Sequence, residues 1–136
     1  MPWKTLEDVV SKGTGTSAQI SNYGIAEAGK TGTTDDYKDL WFVGYTPYYT
    51  AGIWFGYDDS TLMRYRLGRN YNAHKVLWKN IMNEVLEGYE DRDFVMPSDV
   101  EKLRVCSSTG LLASYGCNAI TEYFAKDTAP TEYCSK

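Results

Sequence analysis

Three short segments in the first half of the chain constrain its fold more than any other feature. They lie at 28–34, 40–45 and 51–57, and only a charged turn and a proline-containing turn separate them. The second and third segments are rich in aromatic and β-branched residues, which favour half-buried strands. Strands joined by connections this short pair antiparallel. The sequence therefore predicts a three-stranded meander whose first strand lies near an edge or a groove.

Two helices are predicted beside this sheet. The first spans Leu6–Lys12 and ends at the glycine-rich stretch 13–16, which suits a tight, close-packed turn. The second spans Asn72–Glu87 and ends at Gly88. The predicted fold class is α+β, an antiparallel sheet of three or more strands packed by helices. The apolar residues that predict the sheet-facing side of the second helix are Ala73, Val76, Leu77, Ile81, Val85 and Leu86.

A change in character near residue 96 predicts two parts in the chain. Residues 1–95 contain the predicted sheet and both helices. Residues 96–136 are loop-rich, with one short predicted strand at Leu103–Cys106, and they contain every cysteine of the chain.

The three cysteines leave two pairing states open. Cys106 and Cys117 can form a disulfide in an oxidising compartment, and the odd count, completed by Cys134, leaves at least one thiol unpaired. No C-x-x-C pair is present, and the single histidine, His74, lies far away in the sequence. This spacing matches no common zinc pattern, so the sequence predicts no metal site.

Composition narrows the class of partner. The net charge of −4 leaves no basic stripe to neutralise phosphates, which excludes a nucleic-acid partner. No apolar run approaches the ~18 residues that cross a bilayer, and the polar residues after Met1 do not form a signal peptide. We therefore expect any membrane anchor or export signal to lie outside this chain.

Residues 24–31 formally match the phosphate-binding pattern G-x-x-x-x-G-K-[ST]. That loop needs a buried strand before it and a helix that begins at its lysine, because loop amides and the helix N-terminus hold the phosphates. Upstream, 19–23 is polar and short, and downstream, 32–36 is poor helix-forming sequence. Nucleotide binding is therefore only a distant alternative.

A second pattern begins at Lys30, where the sequence runs Lys-Thr-Gly-Thr-Thr. Lys-Thr-Gly is the third motif of the serine penicillin-binding proteins and β-lactamases, and it lies there on a sheet strand. With its surroundings, the chain closely resembles the class A penicillin-binding proteins, in which a glycosyltransferase domain precedes a transpeptidase domain, and its tail resembles the clostridium-like Gram-positive members. The matching stretches are 13–18, 28–34, 39–47, 54–59, 106–113, 121–124 and 130–134.

The resemblance implies roles for four consecutive residues in the attack of a serine on a D-alanyl-D-alanine carbonyl. Lys30 raises the local positive potential and assists proton movement, and Thr31 and Thr33 offer hydroxyls to the substrate carboxylate or to that of a β-lactam. The Thr33 backbone N–H is one oxyanion-hole donor. Gly32 lets the substrate approach closely. No cofactor is implied.

Plainer interpretations exist for each residue of interest. Lys30 also suits an exposed lysine that protects a sheet edge from aggregation. His74 is expected to be structural or exposed. The aromatic residues expected to serve sheet packing rather than substrate binding are Trp41, Tyr45, Trp54 and Tyr57. The arginines expected to form a solvated loop face are Arg64, Arg66 and Arg69.

The family's first and second motifs, Ser-x-x-Lys and Ser-x-Asn, are absent from the sequence. In the family both precede Lys-Thr-Gly, so we expect them N-terminal to Met1, and we expect this chain alone to be inactive. It is expected to associate with itself or with the rest of its domain, and to act on stem peptides and β-lactams at the extracytoplasmic face of the bacterial membrane. A noncatalytic binding or scaffold module of the same fold is the alternative.

Overall fold

The computed structural model describes residues 2–59, 61–63 and 71–135, which form two compact units, 2–94 and 95–136. The predicted α+β class is confirmed: the first unit contains helices and a three-stranded antiparallel sheet, and the second contains a hairpin. Within the described residues, neither helix has the length and apolar character needed to cross a bilayer.

The sheet of the first unit follows the predicted meander. Its strands are β1 (Ala28–Thr33), β2 (Leu40–Tyr45) and β3 (Thr50–Phe55), hydrogen-bonded in that order. The register pairs Lys30 with Val43 and Thr33 with Leu40 across β1 and β2. The strand β1 therefore lies at an edge of this sheet.

Two helices complete the described part of the first unit. Helix α1 spans Pro2–Ser11, and it begins earlier than predicted, with a proline at the first helical position, where its missing N–H costs no hydrogen bond. Helix α2 spans Ala73–Val85. Short 3₁₀ turns lie at Thr16–Ala18 and Asp35–Tyr37.

The predicted sheet-facing side of α2 is wrong for four of its six residues, although Leu86 is buried as predicted. The structure buries the ladder His74, Trp78 and Met82, whereas Val76, Leu77, Ile81 and Val85 are each about two-fifths exposed. Trp78 explains why the helix turns this side toward the sheet. Its indole packs edge-on against Phe42, with ring centroids 5.2 Å apart, and donates a 3.0 Å hydrogen bond to the carbonyl of Ala51. Buried Trp satisfies its N–H in this way. The core of this unit comprises Val10, Ala18, Ile20, Ile25, Phe42, Trp78, Met82 and Leu86.

The second unit is built on an antiparallel hairpin of β4 (Val100–Cys106) and β5 (Ala119–Ala125). The predicted strand at 103–106 is thus the end of a longer one, and β5 was not predicted. The chain after β5 returns to the hairpin, because Cys134 donates its N–H to the carbonyl of Leu112 at 2.9 Å. The described residues of this unit that are buried are Val105, Cys106 and Cys134.

Candidate active-site strand

The Lys-Thr-Gly motif lies in the middle of β1, with no helix beginning at Lys30. The geometry of a phosphate-binding loop is therefore not formed. The Thr34 N–H donates to the Asp39 carbonyl at 3.2 Å. Hydrogen-bonded and non-hydrogen-bonded pairs alternate along an antiparallel ladder, so Lys30 and Gly32 direct their backbone groups toward β2. The N–H and C=O groups of Thr31 and Thr33 consequently point away from β2, along the edge of the sheet.

Lys30 is exposed, and its ammonium group donates a 2.9 Å hydrogen bond to the carbonyl of Thr31. The cation thus lies against the edge-facing backbone of its own strand. A positive charge beside outward-directed N–H groups is a suitable arrangement for an anionic ligand or a developing oxyanion.

The side chain of Thr31 is held by a hydrogen bond that could not be inferred from the sequence. Its hydroxyl lies 3.1 Å from the hydroxyl of Thr14, in the glycine-rich turn after α1. Lys75 of α2 donates to the carbonyl of Thr14 at 2.9 Å, and burial lowers the pKa of this lysine below its ordinary value. The turn therefore links the motif strand to α2, across more than forty residues of sequence.

Asp39 fixes the hairpin that follows the motif. Its backbone N–H donates to the Thr34 hydroxyl at 2.8 Å, and its carboxylate accepts a 3.0 Å hydrogen bond from the Trp54 indole. Asp36 and Tyr37 in the turn have φ values of 62° and 57°, in the left-handed region. These bonds secure the turn, and with it the register of β1 against β2.

Gly32 has a packing requirement of its own. A Cβ at this position would lie 3.2 Å from the Cβ of Trp41 on the paired strand. That distance is tighter than ordinary side-chain contacts, so the absence of a side chain serves the close strand pairing as well as any approach of a ligand.

The remaining residues of interest are dispersed. Trp41 and Trp54 lie side by side on the exposed face of the sheet, 46% and 41% exposed, with ring centroids 6.3 Å apart. Tyr45 packs against Phe94 at 5.3 Å. Tyr57 is more than a third exposed. The predicted arginine face at 64, 66 and 69 lies outside the described residues.

His74 is buried, 2% exposed, beside Phe55. Within the described part of the chain, neither of its ring nitrogens has a hydrogen-bond partner. Burial, and secondarily the charge of Lys75, lowers the pKa of His74. Of the two expectations for His74, a structural or an exposed residue, its burial agrees with the structural one.

The cysteines of the second unit are free thiols in this structure, and they lie together. The Sγ atoms of Cys106, Cys117 and Cys134 are within 4.8 Å of one another. Hydrogen bonds from the side chains and backbone of Ser108 and Thr109 lower the pKa of Cys106 to about 5. The Cys106–Cys117 disulfide stays a prediction for the oxidised protein.

Known proteins match both units. The penicillin binding protein transpeptidase domain matches residues 3–66, and the C-terminal domain of penicillin-binding protein 1A matches residues 96–136. Penicillin-binding protein 1A of Clostridium tetani is 35% identical over 134 residues, which cover 95% of this chain and 17% of that protein. Penicillin-binding protein 1A of Aquifex aeolicus is 34% identical over 138 residues, covering 99% and 18% respectively.

A solved structure is also similar to this chain. The crystal structure of penicillin-binding protein 1A from Haemophilus influenzae superposes with a TM-score of 0.72 at 26% identity, over 98% of this chain and 21% of that chain. The Lys-Thr-Gly strand lies within the residues that match the transpeptidase domain. Together they place the chain in the class of penicillin-binding transpeptidases.

The chain belongs to the penicillin-binding protein 1A family, and the resemblance to class A members is confirmed. It corresponds to part of a transpeptidase domain followed by the family's C-terminal domain. It spans 17–18% of the length of these two curated relatives.

Proposed function

We propose that this chain supplies the substrate-binding strand of a serine-type D,D-transpeptidase that cross-links peptidoglycan stem peptides. The observation that carries the proposal is the edge of β1, where the backbone groups of Thr31 and Thr33 point away from β2 beside the Lys30 ammonium. An extended peptide can add to such an edge through main-chain hydrogen bonds. The terminal D-Ala-D-Ala of a stem peptide, or a β-lactam, would occupy it.

The residues have distinct roles in this proposal. The Thr33 N–H donates to the oxyanion formed when the serine attacks, and the hydroxyls of Thr31 and Thr33 bind the substrate carboxylate. Lys30 stabilises negative charge and assists proton transfer to and from the Ser-x-Asn serine. Gly32 keeps the strand surface accessible. The nucleophile comes from a Ser-x-x-Lys segment, which this sequence does not contain.

In this assignment, residues 1–95 complete the transpeptidase domain, and residues 96–136 follow it as a C-terminal unit built on the β4–β5 hairpin. The partner is the rest of the transpeptidase domain, or a second copy when that part is missing. The reaction takes place at the extracytoplasmic face of the membrane, where peptidoglycan is assembled. No cofactor enters this chemistry.

The decisive measurement is the intact mass after incubation with a penicillin, with and without the segment immediately upstream. We expect an acyl adduct only when the upstream segment is present. An adduct on the 136-residue chain alone would require a different nucleophile and would overturn the assignment. Absence of any adduct on the longer protein, with stem-peptide binding retained, would favour the noncatalytic scaffold instead.

Substitutions in the longer protein test the role of Lys30. Lys30→Ala is expected to slow acylation by about 100-fold or more, the range of general acid–base catalysis. Lys30→Arg keeps a charge at the sheet edge but cannot release a proton, so it should be almost as slow. If Lys30→Arg acylates normally, the residue protects the edge rather than moving protons. Lys12→Ala, which removes an exposed pair with Asp8, is the control and should leave the rate unchanged.

Thr14 is a positioning residue in this proposal. Thr14→Val removes the hydroxyl that lies 3.1 Å from Thr31 and is expected to slow acylation by about 2- to 10-fold, the equivalent of one hydrogen bond. The effect should fall on binding of the carboxylate, so KM for a peptide substrate rises more than kcat falls. An unchanged KM would show that the contact does not orient Thr31.

A further inference from the structure

The three cysteines of the second unit come from three separate places in the chain. Cys106 ends β4, Cys117 follows the turn at Gly116 before β5, and Cys134 lies in the returning C-terminal segment. Their sulfur atoms nevertheless lie within 4.8 Å of one another. Three points this close all lie within about 2.8 Å of a common centre, about 0.5 Å beyond a Zn–S bond of about 2.3 Å.

The cysteines also occupy the place of a core. The unit 95–136 is close to the size of about 40 residues below which domains usually need a metal or disulfides. Among its described residues, only Val105, Cys106 and Cys134 are buried. One branched aliphatic side chain provides little apolar burial, so the stability of this unit depends on what the sulfur atoms do.

Hydrogen bonds to the cysteines hold their side chains in place, as outer hydrogen bonds do for metal ligands. The Ser108 hydroxyl lies 3.1 Å from the Sγ of Cys106. The Ser114 hydroxyl lies 3.5 Å from the Sγ of Cys117 and donates to the carbonyl of Cys134 at 2.6 Å. Outer hydrogen bonds of this kind orient metal ligands and tune their affinity.

We propose that Cys106, Cys117 and Cys134 bind one thiophilic metal ion, zinc being the fitting case, and that the ion closes the C-terminal unit. Each thiol releases its proton to solvent as the metal–sulfur bond forms. The three thiolates supply three positions of a tetrahedral site, and water or an added ligand supplies the fourth. The partly exposed side chain of Cys117 gives the ion a route of entry.

A Cys106–Cys117 disulfide is the alternative to metal binding, and the two states differ in how many of the three sulfur atoms they use. A Cys106–Cys117 disulfide would leave Cys134 as a buried thiol with no covalent role. Metal binding uses all three sulfur atoms at once, and it ties the end of β4, the turn before β5 and the C-terminal segment to one centre.

Cobalt provides a probe with a visible signal. The full 136-residue chain, reduced with a thiol-free reductant and stripped with a chelator, is titrated with Co²⁺ and then with Zn²⁺. We expect one Co²⁺ per chain, with the absorption of a tetrahedral thiolate site, displaced by one Zn²⁺. With Zn²⁺ bound, all three thiols should be protected from a thiol reagent under native conditions.

Variants decide which residues hold the ion. Cys106→Ser, Cys117→Ser and Cys134→Ser should each weaken Zn²⁺ binding by more than about 100-fold, and Ser108→Ala by about 10- to 100-fold. Ser98→Ala, an exposed position in the same unit, should bind as the wild type does. The cobalt spectrum and thiol protection of the wild type decide the question even if a cysteine variant does not fold.

Three outcomes would overturn the proposal. These are a stoichiometry well below one, tight binding retained by any single cysteine variant, and a Cys106–Cys117 disulfide that forms as readily with Zn²⁺ present as without it. Each is independent of penicillin acylation, so the metal site and the transpeptidase proposal succeed or fail separately.

Discussion

A half-buried carboxyl group makes the stability of the first unit depend on pH. Glu27 lies just before β1, and its carboxylate accepts a 3.0 Å hydrogen bond from the Ile20 N–H. Burial raises its pKa from 4.5 to about 7, although the Ile20 hydrogen bond and the charge of Lys79 act in the opposite direction. The free-energy cost of burying the charged carboxylate therefore exceeds the stabilisation from those two interactions.

The sign and size of the effect follow from this pKa. Because the folded state holds the proton more tightly than the unfolded state, the contribution of Glu27 is fully present below pH 4.5 and is lost as the pH rises to about 7. The full shift corresponds to about 3 kcal/mol, at about 1.4 kcal/mol per pH unit. Partial exposure of the side chain reduces this to about 2 kcal/mol.

Glu27→Gln tests this reasoning, since glutamine keeps an acceptor for the Ile20 N–H and carries no charge. We expect the variant to match the wild type near pH 4 and to be more stable by about 2 kcal/mol near pH 8. Urea unfolding followed by tryptophan fluorescence at a series of pH values measures the difference. Glu84→Gln, at an exposed position of α2, is the control and should show no such trend. A difference between Glu27→Gln and wild type that stays constant with pH, or reverses at high pH because Lys79 dominates, would refute the argument.

Two further predictions concern the packing of α2 on the sheet. Gly44→Ala is expected to reduce the free energy of unfolding by about 1–3 kcal/mol, because its Cβ would lie 2.6 Å from the Trp78 ring; denaturant unfolding measures this. Gly52→Ala, whose Cβ would meet only Val43 at 3.6 Å, is the matched control, and an equal loss in both variants would contradict the packing argument. His74→Leu is expected to lose less stability than the wild type as the pH falls below 6.5 and through the lowered pKa of folded His74, because burial lowers that pKa and protonation of the buried ring opposes folding. Parallel stability curves for the variant and the wild type would contradict that assignment.

The sheet was predictable because its information is local. Short connections leave adjacent strands no pairing except an antiparallel one, and the three strands lie within two residues of their predicted bounds. The Lys-Thr-Gly motif was identifiable for the same reason, since its three residues and the following hairpin are contiguous in sequence. Its edge position follows from being first in the meander.

The orientation of α2 was not predictable from apolar recurrence. Val76, Leu77 and Ile81 form an acceptable helical stripe, yet the ladder through Trp78 is the one buried. The buried side is decided by the contact of Trp78 with Phe42 and its hydrogen bond to the Ala51 carbonyl, and a count of apolar residues along the helix does not reveal these partners. The strand β5 was missed because its pairing partner, β4, lies across a loop of a dozen residues without a recognisable turn pattern.

The contacts that complete each site share one property, which is that they join residues far apart in the chain. Lys75 reaches Thr14, and Thr14 reaches Thr31, although each pair is separated by many positions. The cysteines follow the same rule: metal patterns are recognised from sequence only when ligands come in close pairs, as in C-x-x-C. Here a hairpin and a returning segment bring single cysteines together, so the spacing alone argued against a metal and the fold argues for one. The motif strand could therefore be predicted from sequence, whereas the residues that position it and the sulfur cluster required the structure.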